Sequence, residues 1–431
     1  MLNTSWSLCQ PLHPYPYLPA HTEIISSLRR ISIAAGFTGA VILWLCLVRI
    51  LRWRRYNAIH RKFGARWNNG HGKITPQEAQ EIMHVSCIYD MPWLVSLGGG
   101  LLVFLNTYGI PSMSKLFVAT KELLSKDTIQ RRFSDTDILI STWQECPLSG
   151  FIHPSSALKN KGQESKPAND PRANIAIARV NWIHSKYKIL CTDRYGWRRL
   201  SPLEKEAYYV FWAEVGRRLN IQGIPSNMEG MITWRTEYER THKIPAQTNK
   251  NVARATINEV LESVPKGCKT LVERFVLCLI DDCTRQALMY ERPPLVFYAI
   301  VAGLFNITAL VQRFFLLPRF SGRFMIERGP PRKSESGDCA RMHPLRYTPR
   351  PWYKAEPTYA LGYYWDLILV KLRLLPEMPS QKLKSAGYRI EELGPIKWEQ
   401  EGHEEVMKNA SGLLGCPITG PWSLEERKAK S

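Results

Sequence analysis

The chain has 431 residues, 45% of them hydrophobic, which is enough apolar material to bury a sizeable core and excludes a wholly disordered protein. Lysine and arginine number 58 against 38 acidic residues, a formal net charge of +20, so an anionic surface is an expected neighbour. The sequence contains no zinc-finger, basic-zipper or RNA-recognition motif, which favours membrane lipid over nucleic acid as that surface.

The first element along the chain is an apolar segment over 31–52. Residues 31–51 read ISIAAGFTGAVILWLCLVRIL, and as a helix they would span about 31 Å, the thickness of a bilayer core. Seven basic residues lie in or just after this segment and two just before it, and the more basic flank marks the cytosolic side. We therefore expect one transmembrane helix over 31–52, a lumenal tail over 1–30 and a cytosolic remainder.

Helix signals dominate the rest of the chain, and strand alternation is nearly absent, so we expect an all-α fold. Ser201 to Glu204 form a capping box with proline at the first helical position, which indicates the start of a long helix. The predicted helices lie near 75–90, 95–106, 113–125, 134–144, 173–188, 201–219, 228–241, 249–263, 267–290 and 358–374.

Two segments, 146–171 and 321–351, are rich in proline, glycine, serine and charge and are predicted to be exposed loops without a core. They divide the chain into a helical domain over 53–320 with a loop insertion at 146–171, an exposed linker over 321–351 and a C-terminal helical extension over 352–431 that packs on the domain. A second apolar stretch, 295–317, is interrupted by polar residues. We expect it to lie in the headgroup layer or to line an apolar entrance.

The helix predicted over 173–188 carries the first candidate for chemistry. Ile177, Val180, His184 and Tyr187 share one face by helical spacing, which puts His184 on the buried side. A histidine there either packs in the core with a hydrogen-bonded neighbour or presents its imidazole to a cofactor. Spacing alone leaves both interpretations open.

Two arginines are the next candidates. Arg132 and Thr136 are four residues apart and share a helix face. Arg132 pairs with Asp135 or Asp137, takes part in a helix-cap arrangement with Ser134, or binds a cofactor carboxylate. Arg179 either faces solvent or binds the same anion.

Several ordered blocks together carry a family resemblance. They are the N-terminal anchor, NTYGIP at 106–111, RRFSDT at 131–136, ARVNWIHSKY at 178–187, LSPLEKEAYYVFWAEVGRRLNI from Leu200, and Gly394-Pro395 with Gly415-Cys416-Pro417. The combination resembles the MpaB-type family of ER-bound oxygenases, which is more distantly similar to the latex-clearing rubber oxygenases. The resemblance covers residues from about 25 to 420.

The resemblance implies a globin-like helical bundle around haem b, with His184 as the iron ligand. It implies O2-dependent cleavage of a carbon–carbon double bond in a prenylated or lipophilic substrate of secondary metabolism, at the endoplasmic reticulum membrane. Arg132 and Thr136 match the arginine and threonine of the haem-pocket helix and are the implied catalytic residues, while Arg179 would join Arg132 in binding haem. Asp135 stands where some rubber oxygenases have a distal lysine, so a lysine-capped iron is not expected.

One block departs from the family. Where relatives continue after the HSKY-like motif with a further helix, Lys188 is joined almost directly to Asp193, so we expect a wall of the pocket to be missing. Two other functions stay open: a cyclase or isomerase without redox chemistry on the same scaffold, and a non-enzymatic lipid- or partner-binding membrane protein in which His184 only packs.

Overall fold

A computed structural model describes residues 20–68, 73–125, 128–151, 169–184, 198–262, 264–329, 341–346, 350–372 and 375–424. The structure is 67% helix, and within these ranges the β-structure consists of isolated bridges without a strand. These observations confirm the all-α fold. The helices are α1 (Ala20–Ile59), α2 (Ala65–Asn68), α3 (Pro76–His84), α4 (Pro92–Leu97), α5 (Val103–Tyr108), α6 (Pro111–Thr120), α7 (Ile129–Glu145), α8 (Arg172–His184), α9 (Pro202–Arg218), α10 (Met228–His242), α11 (Gln247–Val260), α12 (Lys269–Leu279), α13 (Asp282–Ala287), α14 (Leu295–Phe314), α15 (Ala360–Lys371) and α16 (His403–Leu414).

Capping residues set several of these boundaries. Ser201 and Glu204 form the predicted capping box at the start of α9. The single helix predicted over 267–290 is wrong, because α12 ends at Leu279 and α13 begins at Asp282 with Asp281 as its N-cap. The Asp281 side chain accepts a hydrogen bond from the Thr284 N–H at 2.8 Å, an N-cap that competes successfully with helix continuation.

The described residues bury two hydrophobic clusters. The larger one joins α3, α7, α8, α9 and α16 with the segment over 383–393, and the smaller one joins α5, α11 and α12. From Arg172 to Val180 every side chain of α8 is buried, the predicted face with Ile177 and Val180 included. A helix buried on all sides is a core helix, so α8 lies at the centre of the larger cluster.

The predicted exposed linker over 321–351 is partly buried where the structure describes it. Met325, Ile326 and Met342 are buried in the larger cluster. The Glu145 carboxylate accepts the backbone N–H groups of Met325 and Ile326, so this irregular backbone is satisfied by a side chain instead of by water. The ends of the loop predicted over 146–171 are likewise buried, and residues 152–168 lie outside the described ranges.

Among the residues that the structure describes, two helices are long and apolar enough to cross a membrane, one over Ser32–Asn68 and the other α14. A bent pair over 100–120 would make a third if it acted as one span. The C-terminal end of α14 is bonded to α1. Trp44 Nε1 donates to the Phe315 carbonyl at 3.0 Å, and Arg52 donates to the Leu316 carbonyl. The predicted N-terminal membrane helix is therefore present as a continuous apolar helix with α14 against it.

Segments on both sides of α14 contribute to the same core. Ile138 and Phe211 precede α14, whereas Tyr388 and Leu393 follow it, and all four lie in the larger cluster. The two parts of the chain that flank α14 therefore share one hydrophobic core.

Candidate functional site

The RRFSDT block lies in the first two turns of α7, where Asp135 is completely buried. Its carboxylate accepts a hydrogen bond from the Tyr353 hydroxyl at 2.6 Å and from the Gly394 N–H at 3.2 Å. Arg132 Nη1 lies 3.5 Å and Arg131 Nε 3.9 Å from the same carboxylate. Asp135 thus joins α7 to the C-terminal segment and balances two arginines.

Arg132 lies between two carboxylates, 3.5 Å from Asp135 and 3.8 Å from Glu122. Its Nη1 atom is buried and makes no hydrogen bond. Thr136 Oγ1 donates to the Arg132 carbonyl at 2.8 Å, so the two residues lie one turn apart on one face, as their spacing predicts. A buried guanidinium nitrogen without an acceptor fits one further anionic oxygen, such as a cofactor carboxylate.

Arg179 is also completely buried, but each of its nitrogens already has an acceptor. Nε donates to the Leu393 carbonyl at 2.8 Å, Nη1 to the Glu401 carbonyl at 2.9 Å and Nη2 to the Trp398 carbonyl at 2.7 Å. Burial lowers the pKa of Arg179 to about 10, so the guanidinium stays charged at neutral pH. This arginine therefore does not face solvent, and its bonds join α8 to the segment over 393–401. Its role in binding haem stays a prediction.

The predicted iron ligand, His184, is the last residue of α8. Its side chain lies outside the described part of the structure, as do residues 185–197, which contain Tyr187 and the shortened join from Lys188 to Asp193. The interpretation of His184 as a ligand and the missing wall of the pocket therefore stay predictions.

A second buried polar group lies at the C-terminal end of α7, and no sequence motif marks it. His84 is hydrogen-bonded through Nε2 to the Gln144 carbonyl, and burial lowers the pKa of this imidazole to about 4. Glu145 accepts the Met325 and Ile326 N–H groups, and burial raises the pKa of its carboxyl to about 7. A neutral imidazole and a carboxyl that titrates near neutrality thus lie at one end of the helix that carries Arg132.

The C-terminal segment brings a third ionic group to α7. Arg131 Nη2 donates to Glu399 at 3.0 Å, and Lys384 pairs with the same carboxylate. Burial, together with the nearby Arg131 charge, lowers the pKa of Lys384 to about 8. Sequence analysis missed these partners, because Arg131 and Glu399 are separated by 268 residues.

The fold and the buried polar site define a helical protein that carries an N-terminal helix able to enter a membrane. The chain is 25% identical to the ER-bound oxygenase MpaB' of Penicillium brevicompactum over 405 residues, which cover 86% of this chain and 90% of that protein. It is 27% identical to the ER-bound oxygenase MpaB of Penicillium roqueforti strain FM164, over 58% of this chain and 89% of that protein.

A further ER-bound oxygenase MpaB, from Penicillium brevicompactum, is 26% identical over 55% of this chain and 64% of that protein. No protein-family model matches the chain. The three similarities confirm the resemblance carried by the sequence blocks: the chain is similar to the MpaB-type ER-bound oxygenases over most of its length.

Proposed function

We propose that the protein is a membrane-anchored, haem-dependent oxygenase of secondary metabolism that cleaves a carbon–carbon double bond of a prenylated or otherwise lipophilic substrate. The observation that carries the proposal is the similarity to ER-bound oxygenases, one of which covers 86% of the chain. In the proposed reaction one O2 is consumed per double bond, and each of its oxygen atoms enters one of two carbonyl groups. The blocks with Arg132 and His184 support the proposal because they fall on α7 and α8, which pack against each other.

The proposed cofactor is haem b, with His184 as iron ligand and Arg132 as the partner of a haem carboxylate. The buried Arg132 Nη1 without an acceptor supports this assignment. When bound, haem would supply the O2 chemistry, since the redox steps belong to the cofactor. Thr136 holds the turn that carries Arg132 through its bond to the Arg132 carbonyl. Arg179 is assigned a positioning role: it fixes the helix that ends at His184 to the segment over 393–401.

We further propose that α1 crosses the endoplasmic reticulum membrane once and that the catalytic domain is cytosolic. The basic residues that follow the apolar run support this orientation. The core shared by segments on both sides of α14 supports a single crossing, because a second span at α14 would separate those segments. A lipophilic substrate partitions into the bilayer, so an anchored enzyme meets it at a raised local concentration.

The haem assignment is tested by the visible spectrum of the full-length protein purified in detergent. We expect a Soret band in wild type and in His242→Ala, a control histidine that is exposed on α10, and none in His184→Ala. A folded protein that stays colourless after haem supplementation would favour a function without redox chemistry. A Soret band that survives in His184→Ala would assign the iron to another ligand.

The reaction is tested separately, by O2 uptake of the haem-loaded protein with phenols that carry a farnesyl chain. Mass spectrometry should find two carbonyl products per O2 consumed, and use of ¹⁸O2 should label both. A product that retains the intact chain contradicts cleavage, and retention of both labels on one fragment contradicts the proposed stoichiometry.

The topology is tested in sealed microsomes with a membrane-impermeant maleimide and peptide mapping. Cys268 is exposed and precedes α14, and Lys408→Cys places a thiol at an exposed position after it. We expect both thiols to react without permeabilisation. Reaction of the second thiol only after permeabilisation would show that α14 crosses the bilayer, and protection of both would reverse the orientation.

A further inference from the structure

Helix α15 presents its apolar side chains outward. Leu361, Tyr364, Trp365, Ile368 and Leu372 follow one another at i, i+3, i+4, i+7 and i+11 and form a single stripe, and their exposed fractions lie between 46% and 84%. A surface helix of a globular protein normally turns such a stripe toward the core. Here the apolar side is the solvent side, so the helix is oriented for a partner that is itself apolar.

The opposite side of α15 carries its one acidic residue. Asp366 is buried and pairs with Lys354, a residue that precedes the helix. This pair holds α15 on the protein and removes the carboxylate from the outward face. Lys371 is exposed in the last turn, so this end of the stripe carries a positive charge.

We propose that α15 lies in the plane of the membrane surface and inserts its apolar stripe at the boundary between headgroups and acyl chains. Twelve residues span about 18 Å, which is too short to cross a bilayer core. Tyrosine and tryptophan, which supply two of the five stripe residues, are the side chains favoured at that boundary. The net charge of +20 suits anionic headgroups.

A second copy of the chain explains the stripe less well. Two such helices side by side touch along only about 18 Å. So short a contact does not supply the area of a stable interface, which buries roughly 800 Å² on each partner. Two chains that each carry a charge of +20 also repel each other. The bilayer, in contrast, is already close to the rest of the protein if α1 anchors the chain in it. The inference depends on that anchor but not on haem or on oxygenase activity.

The test uses full-length protein in vesicles of phosphatidylcholine and phosphatidylserine, with or without lipids brominated near the top of their acyl chains. Bromine quenches tryptophans that lie at that depth. Subtracting the emission of Trp365→Phe from that of wild type isolates Trp365, and Trp234→Phe isolates an exposed tryptophan on α10 as the matched control. We expect bromine to reduce the Trp365 emission at least about twofold and to leave the Trp234 emission unchanged.

Ile368→Glu places a carboxylate in the centre of the stripe at an exposed position, where the fold tolerates it. It should reduce the quenching of Trp365 while the circular dichroism spectrum stays that of wild type. Unquenched Trp365, or equal quenching of Trp365 and Trp234, overturns the proposal. Unquenched Trp365 together with a dimer that Ile368→Glu dissociates would identify a second copy as the partner.

Discussion

Arg179 donates from Nε to the carbonyl oxygen of Leu393 at 2.8 Å and so joins two residues that are 214 positions apart. The same guanidinium binds the carbonyls of Trp398 and Glu401. No carboxylate lies among these acceptors, so the bonds satisfy backbone groups that would otherwise be buried without a donor. The C-terminal segment is thus held by α8 itself, the helix that ends at His184.

We predict that Arg179→Lys lowers the free energy of unfolding by about 3 kcal/mol, because one ammonium group cannot reach three carbonyls that a guanidinium fork satisfies. Urea unfolding in detergent, followed by circular dichroism, measures the loss. Arg217→Lys, at an exposed position on α9, is the control and should change the free energy by no more than about 0.5 kcal/mol. Wild-type stability combined with loss of haem absorbance in Arg179→Lys would instead make Arg179 a cofactor partner.

Tyr353 supplies the shortest described hydrogen bond to Asp135, 2.6 Å from its hydroxyl to Oδ1. Tyr353→Phe keeps the ring in the core and deprives a buried carboxylate of one donor. We expect a loss of about 2 kcal/mol in the free energy of unfolding, measured by the same urea titration. Tyr359→Phe, at an exposed position, should leave stability unchanged. Equal behaviour of the two variants would mean that Asp135 is satisfied without Tyr353.

Local chemistry in the sequence predicts the helices but not the partners of their side chains. The capping box at Ser201 and the spacing of Arg132 and Thr136 depend on residues within one helical turn, and the structure has both. The acceptors of Arg179 lie more than 200 residues away in irregular backbone, where no local pattern marks them. The buried segment with Met325 was predicted to be exposed for the same reason, because its composition indicates a loop while Glu145 supplies its hydrogen bonds from a distance.

Glu145 and His84 should give opposite pH dependences of stability. Burial raises the pKa of Glu145 from 4.5 to about 7, so its contribution to stability is full below pH 4.5 and is lost as the pH rises through 7. Burial lowers the pKa of His84 from 6.5 to about 4, so its contribution is full above pH 6.5 and is lost as the pH falls through 4. Between pH 4.5 and pH 6.5 the two groups change the free energy of unfolding in opposite directions, so their effects largely cancel in wild type.

We therefore predict that Glu145→Gln leaves the pH dependence due to His84 uncompensated. As the pH drops from 6.5 to 4, the free energy of unfolding of this variant should fall by up to about 3 kcal/mol more than that of wild type. His84→Gln should do the reverse, with the free energy falling as the pH rises from 4.5 to 7. Urea titrations at half-unit pH steps measure both. Parallel profiles for the two variants would show that these groups do not titrate as their burial implies.

Arg198, the first described residue after 185–197, pairs with two buried carboxylates. Nη1 lies 2.6 Å from Glu204 and Nη2 lies 2.9 Å from Asp90, and burial raises the pKa of the Asp90 carboxyl. Arg198→Met would remove the cation that bonds to both carboxylates, and we predict a loss of about 3–5 kcal/mol in the free energy of unfolding.

The neighbouring Arg199 is exposed and provides the control, since Arg199→Met should leave stability within about 0.5 kcal/mol of wild type. The double variant Arg198→Met, Asp90→Asn also removes the Asp90 carboxylate that loses its bond to Arg198, so it should recover part of the loss. Residues 90 and 198 are in contact, so the effects of the two substitutions are not additive. Urea unfolding of wild type, Arg198→Met, Asp90→Asn and the double variant at neutral pH gives the coupling energy directly. Additive losses would show that Asp90 and Arg198 contribute independently, and their salt bridge would then not help to hold the π-helical turn over Val85–Asp90 to the start of α9.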